Sequence, residues 1–299
     1  MSSDGSTSST ASTTGGRPGR PESRDISSDS PVIDPNVPST ARAYSALLGG
    51  KDVYESDRKI VAALEHAFGD PQTAARTNRQ WLIRVVRWLS STRGINQFLD
   101  CGSGMPEAEN VHEVAQRYNP QARVVYNDND PTVLAYGRAL LAENEHTAFV
   151  GEDFRDPQKV LNSPEVQRLI DFDEPVAMIH CFSLHHFPDE PRPVKDILDE
   201  YMAAFPSGSY LALTHITYPR PENDPTGRAA EICDEIRGRI RELGMDSGYW
   251  RNYDHVLSYF DGLEMVPPGL VRTAEWWPSG PPALTELDDV MFGGVARKP

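Results

Sequence analysis

The 299-residue chain reads as an α/β fold with a mostly parallel sheet, and three features carry that reading. Short apolar strand patterns alternate with amphipathic helical patterns from Gln97 to Thr214, the rhythm of a parallel sheet covered by helices on both faces. A glycine loop, Asp100-Cys101-Gly102-Ser103-Gly104, follows the first of these strands and is expected to open a helix, at the edge where such Rossmann-like sheets bind ligands. Two late strand patterns, Leu263 to Val266 and Val290 to Ala296, have a loop but no helix between them and suggest an antiparallel hairpin at the sheet edge.

Residues 1–31 are mostly Ser, Thr, Gly and Pro, cannot build a core and are expected to form a disordered tail. Residues 32–94 read as helical. The first helix runs from Ser39 to a stop at Gly49-Gly50, and the second from Asp57 to Phe68. In the third, Leu82, Val85, Val86 and Leu89 recur at i, i+3, i+4 and i+7, an apolar stripe. Arg76, Arg84 and Arg87 fall opposite it and read as a solvated face.

Residues 95–299 form the α/β domain. Its expected strands are Gln97–Asp100, Arg123–Tyr126, Thr147–Val150, Val176–His180 and Tyr210–Thr214. Between them lie expected helices at Val111–Tyr118, Pro131–Leu141, Asp156–Ile170 and Val194–Ala204. Pro131 stands near a helix start, where its missing N–H costs nothing. A long amphipathic helix, Thr226–Leu243, and a shorter one, Tyr253–Phe260, belong to 217–290, where elements of an acceptor site are expected.

Bulk properties narrow the function classes. Lys and Arg number 29 against 44 acids, a net charge of −15, so a phosphate backbone would be repelled and nucleic acid is not an expected partner. The three cysteines, Cys101, Cys181 and Cys233, form no CxxC pair, as suits a reducing compartment. No apolar run approaches the ~20 residues that span a bilayer, and the N-terminus has no apolar signal segment. A cytoplasmic location and no membrane partner are expected, with a dimer left open.

The acids around the glycine loop select a ligand. Glu107 stands where a dinucleotide fingerprint has its third glycine, and a carboxylate there would oppose a pyrophosphate. Asp100 precedes the loop, where a carboxylate suits an ammonium group. Asp128 ends the next strand, where an acid can hold both ribose hydroxyls. Asp153 ends the third strand and could accept from an adenine amino group. A nucleoside with an amino-acid tail and no phosphate, S-adenosylmethionine, fits these acids better than NAD.

The sequence resembles the actinomycete S-adenosyl methyltransferases once catalogued as a domain of unknown function, from Ile33 to the C-terminus. The matching residues are Ala41-Arg42-x-Tyr44-x-x-Leu47-Leu48-Gly49-Gly50-Lys51-Asp52, Gln97-Phe98-Leu99-Asp100 and Asn110-Val111-His112-Glu113-Val114-Ala115. They continue through Val124-Val125-Tyr126, Asp128-Asn129-Asp130-Pro131, Arg155-Asp156-Pro157, Phe260-Asp261-Gly262-Leu263-Glu264 and Gly293-Gly294-Val295. The resemblance implies a seven-stranded class I methyltransferase sheet with an N-terminal helical cap. It implies cofactor contacts at Gly102, Gly104, Asp128 and Asp153, and from Tyr44, Gly49 and Gly50, and Asp100, Asn110, Asn129 and Phe154 are candidates beside them. It also implies methyl transfer, though not the substrate; the acidic charge and the C-terminal aromatics suggest a small-molecule acceptor, and a role in secondary metabolism is expected. A cofactor-binding protein with a regulatory or non-methylating role, such as a cyclase, is the alternative. The chain departs from the family pattern at Asn127, Glu107, Glu109 and, above all, the segment His180-Cys181-Phe182-Ser183-Leu184-His185-His186-Phe187.

That segment follows the fourth strand, and His215 follows the fifth, so four histidines converge on the expected cofactor edge. Methyl transfer needs the nucleophile held in line, and a hydroxyl or ammonium nucleophile must lose a proton. Histidine titrates in the right range. His180 and His185 are the candidates for base or orienter. No ligand pair has zinc spacing, so no metal is expected. Tyr249, Trp250, Tyr253, Trp276 and Trp277 are candidates to shape the acceptor pocket.

Overall fold

Three helices lead the chain. The first, α1 (Thr40–Leu48), begins at Ser39, whose hydroxyl accepts the Arg42 N–H, and ends at Gly49 in the left-handed conformation at φ +100°. Next come α2 (Glu55–Phe68) and α3 (Pro71–Arg93), the latter capped by Asp70 with Pro71 in its first turn. In this computed structural model the described residues are 33–141, 144–278 and 286–299, with Met1 and Gly280. Apart from Met1, the segment 1–31 expected to be a disordered tail lies outside them.

Strands and helices then alternate: β1 (Gln97–Cys101), α4 (Val111–Gln116), β2 (Arg123–Asn127), α5 (Pro131–Leu141) and β3 (Thr147–Val150). They continue with α6 (Pro157–Leu161), α7 (Pro164–Leu169), β4 (Ala177–Cys181), α8 (Val194–Ala204) and β5 (Tyr210–Tyr218). The rest of the chain supplies α9 (Arg228–Glu242), β6 (Arg251–Asn252), α10 (Tyr253–Ser258), β7 (Glu264–Met265), β8 (Val271–Arg272) and β9 (Met291–Arg297).

The strand order is β3-β2-β1-β4-β5-β9-β7, with β6 beside β5 and β8 beside β9. The first five strands are parallel, and β9 runs antiparallel to both β5 and β7. The expected seven strands form the main path, and the late pair is the expected antiparallel edge. The order reverses between β1 and β4, which opens a crevice beyond the carboxyl ends of these two strands. Alternation along β1 sends Phe98 and Leu99 into apolar clusters on opposite faces of the sheet.

The structure corrects four readings. The helix expected at Asp156–Ile170 is two helices, because Ser163 caps α7 and Pro164, lacking an N–H, cannot extend α6. The fifth strand runs to Tyr218, four residues further than expected, so His215 lies within it. The glycine loop does not open directly into a helix: Glu109 takes a positive φ of 60° and Asn110 caps α4 at Val111. Arg84 is not simply solvated, since it donates to the carbonyls of Thr273 and Trp276 and holds the C-terminal loop.

Candidate active site

A cavity of about 490 Å³ opens at the switch point, with the glycine loop at one end and α1, α2 and α9 around the other. The loop is shaped by close approach. Gly102 sits at φ +68°, and a Cβ there would lie 2.4 Å from the Ser183 Cβ. Gly104 is also left-handed, at φ +69°, and a Cβ there would meet open space.

Asp100 and Asp128 line this end, the first buried and the second half-buried. Burial raises the Asp100 carboxyl to about 7, with nearby Arg79 pulling it down and Asp128 pushing it up. Burial raises Asp128 to about 6, opposed by hydrogen bonds from the backbone N–H groups of Asp130 and Gly104, each at 2.9 Å. Arg79, on α3, also lines the cavity. Its Nη2 donates to the Glu109 carbonyl at 3.0 Å, while its buried Nε has no hydrogen-bond partner. The Ser103 hydroxyl is likewise buried and unpartnered at the cavity wall. A buried acid beside an arginine with a donor to spare matches a ligand carrying both an ammonium and a carboxylate.

Other expected contacts divide. Tyr44, Asn129 and Phe154 line the cavity. The Tyr44 hydroxyl donates to the Ala75 carbonyl at 3.1 Å and accepts from Asn78 at 2.9 Å, which fixes its ring edge-on to Phe182. Gly49 and Gly50 end α1 and Asn110 caps α4; none of the three lines the cavity. Asp153 is turned aside, because Arg155 holds both of its carboxylate oxygens. Its neighbours Glu152 and Phe154 line the wall instead. Asn127 donates to the carbonyls of Val150 at 3.1 Å and Glu152 at 2.7 Å, fastening the end of β2 to the end of β3.

The histidines also divide. His180 does not line the cavity. Its Nδ1 shares a hydrogen bond of 2.9 Å with the Ser183 hydroxyl, and its ring packs on Phe154 in the core. The expectation that it faces a substrate is therefore not met: along β4 it is the next residue, Cys181, that reaches the cavity. His185 and His186 both line it, with ring centroids 4.3 Å apart, and His215 lies 5.5 Å behind His185. Burial pulls His186 down to about 4 and His215 to about 3; His185 is pulled well down by burial and by its cationic or ionisable neighbours His186, His215 and Arg251. All three rings are neutral near pH 7. His186 Nδ1 meets the Ser247 hydroxyl at 2.6 Å, and His185 Nδ1 is buried without a partner. Among the described residues no group of three or more His, Cys, Asp or Glu could hold a metal ion.

Of the aromatic candidates, Trp250 alone lines the cavity. Trp276 is fully buried edge-on to Trp81, with centroids 6.1 Å apart, and its indole donates to the carbonyls of Gly269 and Gly293.

The comparisons agree with this architecture. The profile of a family described as S-adenosyl methyltransferase matches residues 27–299. The chain belongs to the S-adenosyl methyltransferase family. A Thermobifida fusca protein proposed to be a methyltransferase is 38% identical, covers 88% of this chain and 96% of its own, and superposes with a TM-score of 0.78. A DUF574 family protein of Streptomyces avermitilis is 35% identical, covers 89% and 99% respectively, and has a TM-score of 0.79. No curated protein matches the chain. The cofactor of this S-adenosyl methyltransferase is S-adenosylmethionine, and the unpartnered donors and acids of the glycine-loop end fit it. No helix among the described residues is long and apolar enough to cross a membrane.

Proposed function

We propose that the chain methylates a small-molecule acceptor held between the glycine loop and the helical cap. One observation carries this reading: a single cavity is lined both by Asp100, Asp128 and the loop glycines and by His185 and His186. S-adenosylmethionine supplies an electrophilic methyl carbon on a sulfonium sulfur. Asp100 would hold its ammonium, Arg79 its carboxylate and Asp128 its ribose hydroxyls. At the other end, the neutral imidazoles of His185 and His186 orient the acceptor by hydrogen bonding. Their low proton affinity makes them positioning groups, so the proton lost by a hydroxyl or neutral amine acceptor on methylation passes to water. The acceptor's lone pair forms the new bond to the methyl carbon as the carbon–sulfur bond breaks. A place in secondary metabolism and in the cytoplasm belongs to the same reading, the latter supported by three free cysteines.

The test begins with calorimetric titration of S-adenosylmethionine, S-adenosylhomocysteine and NAD. The first two should bind and NAD should not; tight binding of NAD alone defeats the reading. Release of S-adenosylhomocysteine is then followed by mass spectrometry across an acceptor library. His185→Ala should cut kcat at least tenfold at unchanged S-adenosylhomocysteine affinity, and unchanged turnover removes His185 from its role.

A further inference from the structure

We infer that the acceptor is an uncharged, largely apolar molecule that inserts between α2 and α9 and presents one polar group to His185 and His186, an inference that rests on the methyl-transfer reading above. The cavity is divided by chemistry. Five of its six charged lining residues, Arg79, Asp100, Asp128, Asp130 and Glu152, come from α3 or from beyond the ends of β1, β2 and β3; the sixth, Asp246, stands exposed at the mouth of the other end. The opposite end is walled by Ile60, Leu64 and Phe68 of α2, by Ile236 and Ile240 of α9, and by Trp250. These residues belong to one apolar cluster, which also includes Phe182. Phe182 stands edge-on to His185 at 5.3 Å, so the apolar wall runs directly up to the imidazoles.

The absence of charge on α9's inner side is specific. Arg237, Arg239, Arg241 and Glu242 are all on this helix, yet Ile236 and Ile240 are its lining residues. The acid at this end, Asp246, is exposed and accepts from the Tyr249 hydroxyl. The histidines offer no counter-ion, because burial keeps their rings uncharged near pH 7. A carboxylate or phosphate placed here would lose its hydration and find no counter-ion, whereas apolar surface gains by leaving water. The polar contacts on offer, the imidazoles and the Ser247 hydroxyl, suit one hydroxyl or amine on an otherwise apolar body.

The test uses the full chain saturated with S-adenosylhomocysteine and two fluorescent probes sharing one ring system. N-phenyl-1-naphthylamine is neutral, and 8-anilinonaphthalene-1-sulfonate adds an anionic group. The neutral probe should bind at least tenfold more tightly. Leu64→Asp should weaken it at least tenfold while S-adenosylhomocysteine affinity holds, and Trp250→Ala, which introduces no charge, serves if the first variant does not fold. Equal or tighter binding of the sulfonate, or wild-type affinity for the neutral probe in the folded variants, overturns the inference. Failure of the wild type to bind S-adenosylhomocysteine overturns the methyl-transfer reading instead, so the two failures appear in different titrations.

Discussion

Asp100 works against the free protein. A carboxyl raised to about 7 on folding binds a proton that the unfolded chain has already released, so stability is lost as pH rises from about 4 through 7. Asp100→Asn removes that penalty. The variant should melt higher than wild type at pH 8, the gap should close by pH 4, and S-adenosylhomocysteine affinity should fall at least tenfold. Calorimetric scans and titrations on one preparation check both halves. In the wild type, an ammonium ligand binds the ionised form, so affinity should rise between pH 5.5 and 8; in Asp100→Asn the rise should shrink and shift down toward 6, where only Asp128 still titrates. That Asp100 and Asp128 would line the cavity was legible because strand-end acids flank a glycine loop. Arg79 was not read, although it sits three residues before Leu82, on the side of α3 that meets the sheet edge. A charge bordering an apolar stripe was the available signal. His180 misled because a period-2 strand turns only alternate residues toward a given side, and strand boundaries are uncertain by more than one residue.

Besides apolar packing, a buried ion pair fixes the first two helices of the cap. Arg42 Nε lies 2.7 Å from an Asp57 carboxylate oxygen, and the same acid accepts from the backbone N–H groups of Ser39 and Tyr54. Arg42 also donates to the Thr132 hydroxyl at the start of α5, and the Ser39 hydroxyl donates to Asp130. The pair thus ties α1 to α2 and both to the cofactor edge. Asp57→Ala strands a buried guanidinium and should cost about 3–5 kcal/mol in urea unfolding. Gly102→Ala combines a left-handed backbone, worth roughly 1–2 kcal/mol, with a Cβ forced against Ser183, so it should lose both stability and cofactor affinity. Helices and strands were readable from local period and caps. The break at Ser163 and the extension of β5 were not: the first needs Ser-Pro read as a new start rather than a tolerated kink, and the second depends on β9, whose Met291 pairs with Ile216 from 75 residues away.

Across the molecule, the cap and the sheet share one cavity, so a ligand filling it should stabilise both together. Saturation with S-adenosylhomocysteine at 100 times Kd adds about 2.7 kcal/mol, expected as a single transition raised by roughly 5–10 °C for a domain of this size. Two transitions, only one of them shifted, would separate cap from sheet. The parallel sheet and its antiparallel edge were legible from strand–helix alternation and the late hairpin. The enclosure of the cavity's apolar end was not, because α2 and α9 are separated by most of the sheet in sequence and meet only in three dimensions.

Arg251 shows how that enclosure is held. Its buried guanidinium donates to the carbonyls of Leu184, Phe187 and Tyr249 and to Asp189, while β6 registers Arg251 beside Thr217 of β5. The chain between Tyr218 and Arg251 therefore leaves and rejoins the scaffold at two adjacent, fixed points. It is a cassette: exchanging it with that of a relative would replace the wall that α9 and Trp250 give the cavity, while α2, the histidines and the glycine-loop end stay as they are.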